Sequence, residues 1–280
     1  MHRAPPLHCV YSIILFSIGK PNLNGHFRKT AYNGTMNKFY QGTISCKAIL
    51  EAGKRKAGPL YVDPNKRTKD FSYIIHLAKK AGVAVLQTPR EKLDELTGSK
   101  THGGMALEAE DLVIPSIETI GKKSGAVFYI EGLEDPYNLG SVCRTIYAAG
   151  ANLLILPPRD WSNAYDTILK ASAGAFEKLD IAYASEEQCV DYLRKHHIPL
   201  LCAHRKDAVP LATYDFPSTC CIAIGGAMRG LSKKILKHAD ENIYIQYGRD
   251  YRNALDTASS AAVFAFTKRN KEIEHEHQSR

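Results

Sequence analysis

Three separated turn-forming stretches in the C-terminal half limit what this chain can fold into more than any other feature. The first is Asp135-Pro136-Tyr137-Asn138-Leu139-Gly140-Ser141-Val142-Cys143-Arg144, and the second is Ile224-Gly225-Gly226-Ala227-Met228-Arg229-Gly230-Leu231-Ser232. The third runs from Ile245-Gln246-Tyr247-Gly248 through Ala254-Leu255-Asp256 into a small-residue run at 257–266. Each closes a short apolar run and opens a helical pattern. Such runs at 126–131, 152–156, 179–183, 199–203, 220–224 and 242–245 alternate with helical intervals that include 141–149, 186–196, 232–239 and 254–268. Continuous apolar strands separated by helices specify a parallel sheet covered on both faces. In open α/β sheets ligands gather at the strand-to-helix turns. The expected site is therefore the meeting point of these three turns.

The N-terminal half carries its own rhythm. Residues 44–52 have helical spacing, 60–62 read as a short strand, and 71–81 place apolar residues at amphipathic intervals. A strand expected to be buried at 83–86 follows, then a helix opened by Pro89 at its tolerated first turn, then a strand at 103–109. This β-α-β-α-β order predicts a small α/β domain over 36–115, joined by a polar linker at 116–125 to a larger domain at 126–270 and a tail at 271–280. Residues 1–35 do not match the rest. Their apolar run of roughly 12 residues is too short to span a bilayer, and no small-residue cleavage site follows it. They are expected to be a disordered leader or upstream extension, with the natural start at Met36.

The formal charge is +8 over 280 residues, and it is unevenly spread. Residues 1–35 carry +4, residues 36–123 carry +5 and residues 124–280 carry −1. A basic accessory part on a near-neutral α/β part suits an enzyme that grips nucleic acid with one half and modifies it with the other, because Lys and Arg neutralise phosphates. The seven cysteines form no C-x-x-C pair and no zinc spacing, which points to reduced thiols packed as small hydrophobes and to no metal. No Gly-Lys-Ser/Thr follows the glycines at 225–230, so a phosphate P-loop is excluded.

Together the three stretches resemble the motifs of the SpoU/TrmH family of RNA ribose 2′-O-methyltransferases, in the SPOUT superfamily. Asn138, Gly140 and Arg144 match the family's Asn-x-Gly-x-x-x-Arg pattern, and Lys170-Ala171-Ser172-Ala173-Gly174-Ala175 resembles a segment carried between the first two motifs. The N-terminal half is similar to the ribosomal-protein-like RNA-binding domain of many members, with His102-Gly103-Gly104 in place of a His-Gln-Gly stretch. The resemblance implies a knotted parallel-sheet domain, S-adenosylmethionine as cofactor, RNA (more often rRNA than tRNA) as substrate, a homodimer and a cytoplasmic protein. It further implies cofactor contacts from Gly225, Gly230, Ile245 and Leu255, with Arg144 and Asn138 as catalytic residues.

Three departures stand out. Ala227 occupies the position of a glutamate, Gln246 that of a proline, and Ala254-Leu255-Asp256 that of Ser-Leu-Asn. One way to read Asp256 is as a carboxylate that compensates for Ala227. The other functional reading is an RNA-binding, ribosome-associated protein that kept the fold and lost turnover.

Overall fold

The computed structural model describes residues 38–278, so the expectations for residues 1–35 lie outside the described residues. The first layer is a four-stranded sheet built from β1 (Lys38–Gln41), β2 (Ala57–Val62), β3 (Val85–Gln87) and β4 (Met105–Ala109), in the order β1-β4-β2-β3. Helices α1 (Gly42–Ala52), α2 (Lys69–Lys80) and α3 (Arg90–Thr97) connect them. Only β2 and β3 pair parallel; β4 runs antiparallel to both β1 and β2. Local signals set the helix ends. Thr68 caps α2 by accepting the Phe71 N–H, and α1 stops at Gly53 in the left-handed conformation.

One expectation fails here. The apolar run at 83–86 is not a buried strand, because β3 is an edge strand paired only with β2 and Leu86 is 43% exposed. A four-residue apolar run cannot distinguish an edge from a central strand. β1 also carries no signal that separates it from a loop.

The second part is a seven-stranded, fully parallel sheet. Its strands and helices run β5 (Ala126–Ile130), α4 (Pro136–Ala148), β6 (Leu153–Leu156), α5 (Tyr165–Ala171), α6 (Ala175–Lys178) and β7 (Ile181–Tyr183). They continue as α7 (Glu186–His196), β8 (Leu200–Ala203), β9 (Val209–Pro210), β10 (Cys220–Ile224), α8 (Lys233–Lys237), β11 (Glu241–Tyr244) and α9 (Thr257–Gln278). Alternate side chains point to opposite faces. Phe128, Ile130, Ile222 and Ile224 join Val142, Ile146 and Phe264 from α4 and α9 in one core. Val127, Tyr129, Cys221 and Ala223 join Val190, Leu193 and Ile235 from α7 and α8 in the other.

The strand order is β7-β6-β5-β10-β8-β11-β9. The chain winds outward from β5 through β6 to β7, then crosses back, and β10 inserts between β5 and β8. The winding direction therefore reverses beside β5, and the carboxyl ends of β5, β10, β8 and β11 open on one edge.

Two helices start where the sequence reading did not put them. α4 begins at Pro136 rather than Ser141, because Asp135 accepts the Asn138 N–H at 2.8 Å and Pro136 is pre-set for the first turn. α9 begins at Thr257 rather than Ala254 and runs past residue 268 to Gln278, so the residues read as a tail continue it. Asp256 Oδ1 accepts the Ser259 N–H at 2.8 Å, which fixes that start.

The two parts pack as one compact unit. Residues 116–125, read as a linker, are held against the larger sheet. Ile117 is fully buried, and the Tyr192 hydroxyl donates to the Gly121 carbonyl at 3.0 Å. Between the parts, Arg55 forms a fork with Glu177, Nε to Oε1 at 2.9 Å and Nη2 to Oε2 at 2.5 Å. The Tyr40 ring lies 4.4 Å from that guanidinium. Ser45 adds a 2.8 Å hydrogen bond to Asp166.

Candidate active site

The three turns meet at the carboxyl edge through backbone packing. Gly132, just after β5, presses on Gly226, just after β10: a Cβ built on Gly132 would sit 2.8 Å from the Gly226 Cα. Glu131 closes the same junction. Its buried carboxylate accepts the Tyr129 hydroxyl at 2.9 Å and the Ser232 N–H at 2.7 Å, tying the end of β5 to the start of α8. Burial and the Glu131 charge both push the Tyr129 phenol well above its ordinary pKa, so it remains a donor. Nothing in a single sequence links positions 131 and 232, where Glu131 reads only as the end of a strand.

The second motif is a tight hairpin turn. Gly230 N–H donates to the Gly226 carbonyl at 2.8 Å. A Cβ on Gly225 would lie 2.1 Å from the Gly230 carbonyl carbon, so no side chain fits there. Gly230 has open space around it but a φ of +66°, which glycine adopts without strain. Met228, 96% exposed, forms the tip together with exposed Ala227 and Arg229.

The third motif folds back onto the second. Thr257 Oγ1 donates to the Gly225 carbonyl at 3.3 Å. Between Ile245 and Leu255 the chain loops outward, and Arg205 braces that loop. Its guanidinium donates to the Arg252 and Asn253 carbonyls at 3.0 and 3.1 Å and lies 4.6 Å from the Tyr247 ring centre. The Tyr247 hydroxyl accepts the Leu255 N–H at 3.1 Å. Arg205 follows β8 and belongs to none of the three stretches, so no motif marks it.

Asn138 and Arg144 both lie on α4. Six residues turn a helix by about 600°, which leaves these two side chains roughly 120° apart around the axis. No hydrogen bond joins them, and Asn138 does not orient Arg144 by direct contact. Both side chains are exposed, and among the described residues Arg144 makes no hydrogen bond or ion pair. Gly140 has a packing reason: a Cβ there would stand 2.5 Å from the Ala171 Cβ. The Ala-Ser-Ala-Gly segment is thus a close-approach seam. Gly140 of α4 meets it on one side, and on another a Cβ on Gly174 would come within 2.7 Å of the Ala48 Cβ of α1.

Nothing in the structure supports the compensation reading of Asp256. Its carboxylate is taken up by its own helix, accepting both the Ser259 N–H and, at 2.6 Å, the Ser259 hydroxyl.

The residues present fit a cofactor held by main-chain groups. Among the described residues, Ile245 and residues 227–229 have no backbone–backbone hydrogen bond, so these peptides remain available beside Gly225. At Leu255 the N–H is already taken by Tyr247 and must be released before a ligand can use it. No group of three or more His, Cys, Asp or Glu among the described residues could hold a metal ion. A larger cavity of about 530 Å³ opens at the opposite edge, where Arg194, Lys237 and His238 sit at the carboxyl ends of α7 and α8. Basic residues in that position complement the helix dipoles.

Comparison with known proteins decides the family. The model of the SpoU rRNA Methylase family matches residues 125–266, and that of the RNA 2′-O ribose methyltransferase substrate-binding domain matches residues 41–113. The chain belongs to the SpoU rRNA Methylase family. Among its relatives is a putative TrmH family tRNA/rRNA methyltransferase, YacO, of Bacillus subtilis. The two are 27% identical over 216 residues, covering 73% of this chain and 86% of that one. The 23S rRNA (guanosine-2′-O-)-methyltransferase RlmB of Xanthomonas axonopodis is 23% identical over 212 residues, covering 73% and 85%. The AdoMet-bound rRNA methyltransferase of Sinorhizobium meliloti shares the fold with a TM-score of 0.67 at 20% identity, covering 84% of this SpoU-family chain and 87% of its own.

Proposed function

We propose that this chain transfers a methyl group from S-adenosylmethionine to a ribose 2′-hydroxyl of structured RNA, rRNA rather than tRNA. The carrying observation is that main-chain groups around Gly225 and Ile245 stay unpaired at the sheet edge where α4 begins, the helix that two turns further on bears an unpartnered Arg144. When bound, S-adenosylmethionine supplies an electrophilic sulfonium methyl. Peptide groups of Gly225, Gly230, Ile245 and, once Tyr247 releases its N–H, Leu255 would hold it.

Arg144 grips a phosphate next to the target ribose through its planar fork. A guanidinium carries donors only and no acceptor site, so it does not take up the hydroxyl proton. It orients the nucleotide and stabilises charge developing on the oxygen, while the proton passes to a substrate phosphate oxygen or to water. Asn138, free at the first turn of α4, aligns the ribose. Positioning of this kind lowers barriers by about 7–11 kcal/mol in favourable cases.

The same reading includes a homodimer, a cytoplasmic location and the knotted chain path, which the Thr257-to-Gly225 hydrogen bond supports by returning the last helix to the second motif. It also keeps the division into 36–115 and 126–270. Among the described residues no helix is long and apolar enough to cross a membrane. The rRNA preference is supported by relatives named as rRNA methyltransferases.

Calorimetric titration of S-adenosylmethionine into ligand-free protein, paired with transfer of labelled methyl to unmodified rRNA, tests this. Binding and transfer are expected, with Arg144→Ala losing transfer about 10–150-fold while donor affinity is unchanged. Absence of donor binding by folded protein would move the reading to the non-catalytic RNA-binding alternative.

A further inference from the structure

A second pocket opens at the carboxyl ends of β5 and β6, directly beside the first motif. Its volume is about 220 Å³, and Gly132, Leu133, Glu134, Pro158, Arg159 and Trp161 contribute to its lining. That is smaller than the roughly 300–1,000 Å³ of a drug-sized site and suits one heterocycle. It is a built feature. The Tyr183 hydroxyl holds the Arg159 carbonyl at 2.8 Å, the Ser162 N–H is fixed by Asp160 at 2.8 Å, and the Arg159 guanidinium lies 5.0 Å from the centre of the Trp161 ring.

Two polar groups in this pocket have no partner among the described residues. Trp161 is only 5% exposed, and its indole N–H, which makes no hydrogen bond, still reaches solvent. Glu134 is exposed at the rim and makes no hydrogen bond or ion pair. The pocket shares Gly132 with the contact that seals the second motif, and Glu134 immediately precedes Asp135, the cap of α4. One helical turn separates Glu134 from Asn138.

Sequence-specific RNA recognition takes bases splayed out of the stack, packs them on aromatic rings or Arg planes and reads their Watson–Crick edges. We propose that this pocket receives the flipped base of the target nucleotide and that Glu134 makes it a guanine site. An ionised carboxylate is acceptor-only, with two oxygens. Guanine alone among the four bases offers two adjacent donors on that edge, N1–H and the N2 amine. Adenine and cytosine set a ring-nitrogen acceptor beside their amine, and uracil flanks its N3–H with two carbonyl oxygens; each would meet the carboxylate with a repulsive neighbour. The free Trp161 N–H remains for a base acceptor, and Arg159 at the mouth for a phosphate.

This inference rests on the methyltransferase reading for its purpose, but its test does not. Trp161 is the only tryptophan of the chain. Its fluorescence, excited at the red edge where nucleotides do not absorb, is followed as GMP, AMP, CMP and UMP are titrated into the full chain. All four share a phosphate, so that contribution cancels. GMP is expected to quench Trp161 and to bind at least about tenfold more tightly than the others. Glu134→Gln is expected to abolish the preference without changing thermal unfolding. Equal quenching by all four, no quenching by any, or a retained GMP preference in Glu134→Gln overturns the proposal. S-adenosylmethionine calorimetry on the same sample separates the two failures. Donor binding without GMP selectivity removes only the guanine site, and selectivity without donor binding removes only the transferase reading.

Discussion

Replacing Arg55 by Met should cost this protein about 3–5 kcal/mol, which is the usual consequence of leaving one member of a buried ion pair alone. The structure gives the reason. The side chains of Arg55 and Glu177 are 2% and 0% exposed, and the two hydrogen bonds between them span the junction of the substrate-binding part and the larger sheet. Burial works against the Arg55 charge, and the Glu177 contacts outweigh it, so its pKa lies above the ordinary arginine value. In the variant the Glu177 carboxylate keeps its burial and loses its partner. At about 2–4 °C per kcal/mol for a chain of this size, the melting temperature should fall by roughly 6–20 °C.

The double variant Arg55→Met, Glu177→Leu removes both charges and should recover most of the stability. Urea unfolding followed by circular dichroism measures both variants. A single variant within about 1 kcal/mol of the parent, or a double variant as unstable as the single, would refute the view that this pair is a desolvated lock between the two parts.

Other substitutions probe the site's supports. Gly140→Ala ordinarily favours a helix, but here the added methyl meets Ala171 at 2.5 Å; a destabilisation of about 1–3 kcal/mol is expected by denaturant unfolding. Asp256→Ala should cost about 0.5–2 kcal/mol as a lost cap, whereas Asp256→Asn should be nearly neutral, and both should retain methyl transfer in a labelled-methyl assay. Hydrogen bonds from the Ser259 hydroxyl and N–H hold the Asp256 carboxyl below its ordinary pKa. Its charge-dependent share of stability is thus present above ~3.9 and lost as pH falls through the lower folded value, a small effect at so exposed a group. Burial pushes the Cys220 thiol up to about 11 and the Cys202 thiol up to about 12. In a Cys9→Ser variant the six described cysteines, all buried, should resist an aromatic disulfide reagent at pH 8 until the protein is denatured.

The sequence alone determined the parallel sheet and the grouping of the three motifs, because apolar strand runs and glycine turns are local signals with fixed physical meaning. It also carried the start of α4, in Asp135-Pro136, although the Asn138-to-Arg144 spacing drew attention to a loop instead. What the sequence left open is everything that depends on which distant atoms meet. Gly140 could be read as part of a motif, but only packing against Ala171 shows why it lacks a side chain. Asp256 reads as a replacement carboxylate, and only the fold shows Ser259 bonded to it. Glu131 reaching Ser232, Arg205 bracing the third loop, and Arg55 locked on Glu177 all join residues far apart along the chain, and no local pattern encodes them. Strand order decided the site: inserting β10 between β5 and β8 brought the three turns to one edge, and pairing β6 with β5 set Glu134 and Trp161 around the same small pocket.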